Sequence, residues 1–349
     1  MIPKTTRLLQ ATQETRRGNR RPAGWQRLQA EALRDPAGLL ASLNLPGEPA
    51  RAAHAAFPLR APAGWLSRIV PGDPDDPLLR QILPDAEEMR PQPGFGADPV
   101  GDAAARAAPG LLHKYHGRVL LMLTGACAIH CRYCFRRHYP YRDDDLLTQL
   151  PAALDYIRGD DSIREVILSG GDPLSLGNRR LEQVFHALQA IPHLRRLRIH
   201  SRAPVALPER IDDGLLGLLK SIDLQTVMVI HCNHPAELDE SVSAALAALR
   251  ECGLSLLNQS VLLRGVNDDA GILQQLSEHL FEAGVLAYYL HQLDRVEGAA
   301  HFEVPDAEAL ALHRELRRRL PGYLLPELVR ERAGEAAKLP LREIGATAG

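Results

Sequence analysis

The run CAIHCRYC places Cys127, Cys131 and Cys134 at a C-x3-C-x2-C spacing, three of the chain's five cysteines within eight residues. Three thiolates this close can each hold one iron of a cubane [4Fe–4S] cluster and leave the fourth iron open to a reacting molecule. The same residues also suit structural zinc, with His130 or His138 as the fourth ligand. Zinc sites more often pair cysteines in two separated knuckles, and no second pair exists here. Cys232 and Cys252 stand singly in apolar or strand-end contexts and read as small buried hydrophobes.

The elements that must position this loop are legible as six short apolar runs: RVLLMLT at 118–124, EVILS at 165–169, RLRIH at 196–200, QTVMVI at 225–230, LSLLNQSV at 254–261 and LAYYLHQ at 286–292. Between them, segments such as 181–190, 236–251, 269–283 and 306–320 carry the Leu/Ala spacing of amphipathic helices long enough for right-handed crossovers. The pattern predicts a parallel β/α array, either a doubly wound sheet or an incomplete barrel. The unusual polar residues follow the strands: the cysteine loop, then SGGDPL, HSRAP and HCNHP, with Asn258 and Gln259 late in the fifth run and His291, Gln292 and Asp294 closing the sixth. In parallel β/α architecture the C-terminal strand ends share one face, so these groups are expected to converge on one site.

Upstream, Trp25, Leu28 and Ala32 fall at helical spacing, and Asp35-Pro36 and Asp76-Pro77 each set a capping carboxylate before a proline. Short helices are expected there. Residues 84–110 are rich in proline and glycine and read as an extended connector, with a boundary near residue 110. Residues 1–21 carry Lys4, Arg7, Arg16, Arg17, Arg20 and Arg21 against Glu14, a composition of plain tails and, alternatively, of organelle transit peptides.

Apolar residues make up 45% and charged residues 24%, which excludes fibrous and wholly disordered classes. Lys plus Arg numbers 41 and Asp plus Glu 43, a net charge of −2 that gives no reason to expect nucleic acid. No apolar stretch approaches the ~18 residues of a membrane span. No membrane partner is expected, and the expected location is the cytoplasm.

The cysteine spacing, with an aromatic just before the last Cys, resembles the signature of the radical S-adenosylmethionine (SAM) superfamily. LLHKYHGRVLLMLTGACAIHCRYCFRR, LSGGDPLSL, RIHSRAPVALPERI, HCNHPAE, LLNQSVLLRGVND and YYLHQLDRVEGAAHF resemble lysine 2,3-aminomutases in order and spacing, over about residues 110–340. The upstream PDDPLLRQILP, the KYH form and the short stretch after Lys338 further resemble the branch that makes β-lysine for modifying elongation factor P. The resemblance implies an α/β fold, an incomplete (β/α)6 barrel holding SAM, a [4Fe–4S] cluster and pyridoxal 5′-phosphate (PLP). It also implies a helical extension and connector over 1–110, a core over 111–325 and a C-terminal segment over 326–349. The implied isomerase makes a 5′-deoxyadenosyl radical from SAM, takes a hydrogen from the β-carbon of lysine, and moves the amino group from C2 to C3 while PLP holds it.

Carried over residue by residue, the resemblance makes Lys338 in GEAAKLP the Schiff-base lysine, and Lys114, Tyr115 and Arg118 the group that binds the PLP phosphate. The family usually has a glycine-rich approach to this lysine, whereas Gly334, Glu335, Ala336 and Ala337 stand here. Gly170, Gly171 and Asp172 match the motif that receives the amino end of SAM, with Ser201, Arg202, His231 and Gln259 also assigned to the SAM region. Arg136 is implied to grip the substrate carboxylate in a two-toothed contact. Asp294 is implied to hold the lysine ε-ammonium with Glu331, which stands where free-lysine aminomutases carry Asp.

The implied partners are lysine, the elongation factor P pathway directly or through its lysyl-transferring ligase, and an external one-electron donor of flavodoxin or ferredoxin type. Two alternatives stand beside this reading: a free-lysine aminomutase of catabolism or osmolyte synthesis, and a non-catalytic metal-binding interaction module.

Overall fold

The computed structural model describes residues 24–141 and 146–344. Ten strands form one mixed sheet whose spatial order follows the chain: β1 (Arg106–Ala108), β2 (Leu111–Tyr115), β3 (Arg118–Met122), β4 (Glu165–Ser169), β5 (Arg196–Ser201), β6 (Gln225–Ile230), β7 (Ser255–Val261), β8 (Leu286–His291), β9 (Glu327–Arg330) and β10 (Leu339–Pro340). Strands β3 to β9 are parallel, while β1, β2 and β10 are antiparallel margins. The margins do not pair with each other, so the sheet is not closed by hydrogen bonds.

Six helices return the chain from one parallel strand to the next: α1 (Leu146–Gly159), α2 (Asn178–Gln189), α3 (Asp213–Lys220), α4 (Glu240–Glu251), α5 (Ala270–Glu282) and α6 (Asp306–Arg319). In α2 the buried residues are Leu181, Val184, Phe185 and Leu188, one face at helical spacing. The sheet register aligns Leu121, Leu168, Ile199, Met228 and Leu256 in one buried row. Because strand side chains alternate, the same register turns Leu120, Ile167, Arg198 and His200 to the other side, where they line a cavity. All six expected apolar runs are strands.

The upstream region holds short helices, among them Trp25–Ala30, Pro36–Ser42 and Arg51–Ala56. Asp35 accepts from Ala37 N at 3.0 Å, and Asp76 from Leu78 N and Leu79 N at 2.8 and 2.9 Å. Leu39, Leu59, Trp65 and Leu78 are buried in the same core as Val119, Leu168 and Leu197. The expected boundary near residue 110 therefore does not divide the core. The basic residues 1–21 lie outside the described residues. Among the described residues no helix is long and apolar enough to cross a membrane.

Candidate active site

The strand ends and both margins of the sheet meet at a cavity of about 470 Å³. Cys127, Cys131 and Cys134 line it as free thiols. Their loop is pressed onto the end of β4: Gly171 N donates to Thr124 O at 2.6 Å and Asp172 N to Ala126 O at 2.8 Å. A Cβ on Gly170 would stand 2.5 Å from Thr124 O, and one on Gly171 2.6 Å from Ala126 O. Both glycines are thus required by the approach of the cysteine loop itself.

Among the described residues, no three His, Cys, Asp or Glu side chains gather tightly enough to hold one ion. His130 Nδ1 pairs with Pro58 O at 2.8 Å and His138 Nε2 with Glu297 O at 3.2 Å, and neither imidazole forms a compact ligand group with the thiols among the described residues. Thiols set around a wider space suit a cubane, in which each ligates a separate iron. Burial pushes the Cys134 thiol up to about 11 and the Cys127 thiol well above its usual value. Such thiols keep their protons until a metal displaces them.

Behind the loop, three of the residues implied to lie in the SAM region line the cavity and are also held by protein contacts. Asp172 is buried, and its carboxylate already accepts from Leu174 N, Ser201 Oγ, Arg202 N and Ala203 N. Arg202 runs under the loop to Cys131 Sγ at 2.6 Å. Asp172, Ser201 and Arg202 therefore brace the ends of β4 and β5 and the cysteine loop while lining the cavity, and Arg202 Nε alone of the guanidinium nitrogens is buried without a partner. His231 pairs through Nε2 with Tyr133 OH at 2.9 Å, and Gln259 lines the cavity without a side-chain partner among the described residues.

Across the cavity runs a ladder of alternating charges. Arg136 Nε donates to Asp102 Oδ2 at 2.7 Å; Asp102 Oδ1 lies 2.6 Å from Lys114 Nζ; Lys114 Nζ lies 2.8 Å from Glu331 Oε1; and Glu331 Oε2 lies 2.5 Å from Lys338 Nζ. Lys114 belongs to one margin of the sheet and Glu331 follows β9 near the other, so ion pairs join what strand pairing leaves open. Burial opposes ionisation of Glu331, yet Lys338 and Lys114 hold its carboxyl far below the usual range. Lys114, implied to bind a phosphate, is held here by two carboxylates, those of Asp102 and Glu331. Arg118 has no carboxylate partner among the described residues and stacks over the Tyr115 ring at 4.7 Å.

Asp294 is the opposite case. Its Oδ1 is buried without a hydrogen-bond partner, and burial, reinforced by Glu331, pushes the carboxyl up to about 7. A buried acceptor without a donor fits a cationic group supplied by a ligand. His200 Nε2 is likewise buried and unpartnered, and burial holds both His200 and His291 well below the usual imidazole range.

The chain is 47% identical over 322 residues to the L-lysine 2,3-aminomutase of Escherichia coli, covering 91% of this chain and 94% of that one. It is 46% identical over 323 residues to that of Haemophilus influenzae, covering 91% and 96%, and 41% identical over 313 residues to that of Buchnera aphidicola, covering 88% and 92%. The chain belongs to the lysine 2,3-aminomutase family. Residues 121–274 also match the radical SAM superfamily. This family member is therefore an enzyme, an isomerase whose superfamily works with SAM and a [4Fe–4S] cluster, and the open trio of cavity thiols fits such a cluster.

Asp102, Gln81 and Glu237 were missed by sequence reasoning. Asp102 sits in the Pro/Gly-rich connector, where a carboxylate reads as a solvated turn residue. Gln81 lies within PDDPLLRQILP, where Asp76 caps the short helix Pro77–Arg80 and Gln81 O accepts from Arg132 N of the cysteine loop at 2.9 Å.

Proposed function

We propose that this family member converts L-α-lysine into β-lysine by 2,3-amino migration, with PLP carried on Lys338, and supplies β-lysine for the modification of elongation factor P. The observation that carries the substrate reading is the pair of unlike ends offered by one cavity. Asp294 presents a buried acceptor without a donor, and Arg136 presents a buried guanidinium. A zwitterion with an additional distal ammonium matches both.

When bound, PLP supplies electron delocalisation at the migrating nitrogen, and SAM on a reduced cluster supplies a carbon radical. The chain's residues do the rest. Cys127, Cys131 and Cys134 would hold the cluster; Lys338 Nζ would be the nucleophile for PLP; and Arg118, beside Tyr115, would take its phosphate. Asp102 occupies Nε of Arg136, and Ser169 Oγ accepts from Nη1 at 3.2 Å, so the guanidinium is fixed before a carboxylate arrives. Leu120 and Ile167 give the cavity an apolar wall that excludes water from a reactive radical.

The burial of Arg136 favours free lysine as substrate, because a lysyl group already joined through its carboxyl to a protein offers no carboxylate to that guanidinium. The elongation factor P role is supported by PDDPLLRQILP and the KYH form, and it requires a one-electron donor of flavodoxin or ferredoxin type. The test is an anaerobic assay of free L-lysine beside unmodified and α-lysylated elongation factor P. β-Lysine is expected from free lysine, and β-lysine appearing only on the protein-borne substrate would refute the reading.

A further inference from the structure

We propose that Arg202 sets the reduction potential of the cluster, acting through Cys131: its buried guanidinium stabilises the reduced, more negative state by donating a hydrogen bond to a ligating sulfur. This rests on reading the three cysteines as cluster ligands. Arg202 is 7% exposed, with Nη1 2.6 Å from Cys131 Sγ and 2.6 Å from Tyr133 OH. Nη2 lies 2.7 Å from Gln81 Oε1 and 3.2 Å from Glu237 Oε2. The guanidinium also lies over the Trp65 ring at 4.7 Å. Contacts from the upstream helices, the cysteine loop and the segment after β6 therefore fix one charge in one place.

That charge has a single carboxylate within ion-pair distance among the described residues, Glu237, which is fully buried. Glu237 is itself fixed, accepting from Gln81 Nε2, Asn233 N and His234 N at 3.0, 3.0 and 3.1 Å. Reduction adds one electron from a low-potential flavodoxin- or ferredoxin-type donor to the cluster and moves no proton. A fixed cation hydrogen-bonded to a thiolate ligand favours the added negative charge, and low polarisability around it preserves the effect. Glu237, farther from the sulfur and of opposite sign, works against it.

The test is a potentiometric titration of anaerobically reconstituted protein, with iron content measured and the reduced cluster followed by electron paramagnetic resonance. Arg202→Gln should lower the reduction equilibrium constant at least tenfold, about 59 mV for one electron. Arg202→Lys should recover part of that, and Glu237→Gln should move the midpoint the opposite way. A merely structural role would not produce shifts of opposite sign. An unmoved midpoint in iron-loaded Arg202→Gln overturns the proposal. If that variant takes up no iron, Glu237→Gln decides: an unchanged or lowered midpoint overturns it. A parent chain that binds no four-iron cluster overturns the cysteine reading and this inference together.

Discussion

Glu331 holds Lys338 and Lys114 at once, one carboxylate oxygen on each ammonium, at 2.5 and 2.8 Å. The residue implied to receive the substrate's ammonium is thus already the partner of the lysine proposed to carry PLP. Lys338 becomes a nucleophile only when this contact parts. Replacing the carboxylate with an amide trades an ion pair for a hydrogen bond in which only the ammonium is charged, a difference of about 1 kcal/mol. Glu331→Gln should therefore take up PLP at Lys338 roughly five-fold faster at the same pH. Borohydride trapping followed by peptide mass spectrometry reads the rate, and an unchanged rate, or trapping at a different lysine, removes the assignment.

The cysteine trio makes the sharpest distinction. Cys127→Ala, Cys131→Ala and Cys134→Ala should each abolish SAM cleavage, because each removes the ligand of a separate iron. Cys252→Ala should leave cleavage intact, since its thiol packs at the end of α4, away from the cavity lining. One fully active variant among the three would sink the cluster assignment.

Asp294 couples recognition to pH. Its carboxyl, pushed up to about 7 by burial and then by Glu331, titrates far above an unfolded aspartate near ~3.9. The native state therefore binds the extra proton, and the stability this gives is present below ~4 and lost as pH rises through about 7. Asp294→Asn should raise the thermal midpoint at pH 8 by on the order of a few °C. It should also lower kcat/KM for lysine roughly ten- to hundred-fold, the cost of a charge-assisted bond of ~1.5–3 kcal/mol. In the parent, KM for lysine should rise as pH falls below about 7, since the carboxylate is the form that meets an ammonium. Unchanged kinetics in the variant would remove the ammonium pocket.

The six interior strands were legible because their core-facing positions are buried and apolar and helical periods separate them, and the cysteine loop because its spacing is tight. β2 and β9 were not, since LLHKY and ELVR are short and carry the cavity's charges at or just after their ends. The ladder was illegible for another reason: Lys114 and Glu331 stand 217 residues apart, and nothing local marks them as partners. Arg202's contacts were illegible too, because a polar residue at a strand's C-terminal end is expected to face a ligand, and nothing local marks its protein partners. Here the short helix Ala203–Ala206 follows it, and its side chain runs behind the cysteine loop to Gln81 and Glu237.

Asp102 supplies the prediction of opposite sign to that for Asp294. Burial alone would raise its carboxyl, but Arg136 and then Lys114 hold it below the usual range. The stability this gives is present above ~3.9 and lost as pH falls through the lower folded value. Asp102→Asn should lower the thermal midpoint at pH 7, with the gap to the parent closing below pH ~4. Its effect on turnover should be a KM effect: with Nε of Arg136 no longer gripped at 2.7 Å, the guanidinium loses its fixed orientation before lysine binds. KM for lysine should rise about tenfold, as expected for ~1.4 kcal/mol of lost positioning, with kcat changing less. Arg136→Lys should be more damaging, because a point ammonium cannot offer two parallel donors to a carboxylate. Steady-state kinetics of the two variants under anaerobic conditions reads this ordering. If Asp102→Asn left KM unchanged, the connector carboxylate would be a fold-holding ion pair without influence on the substrate's grip.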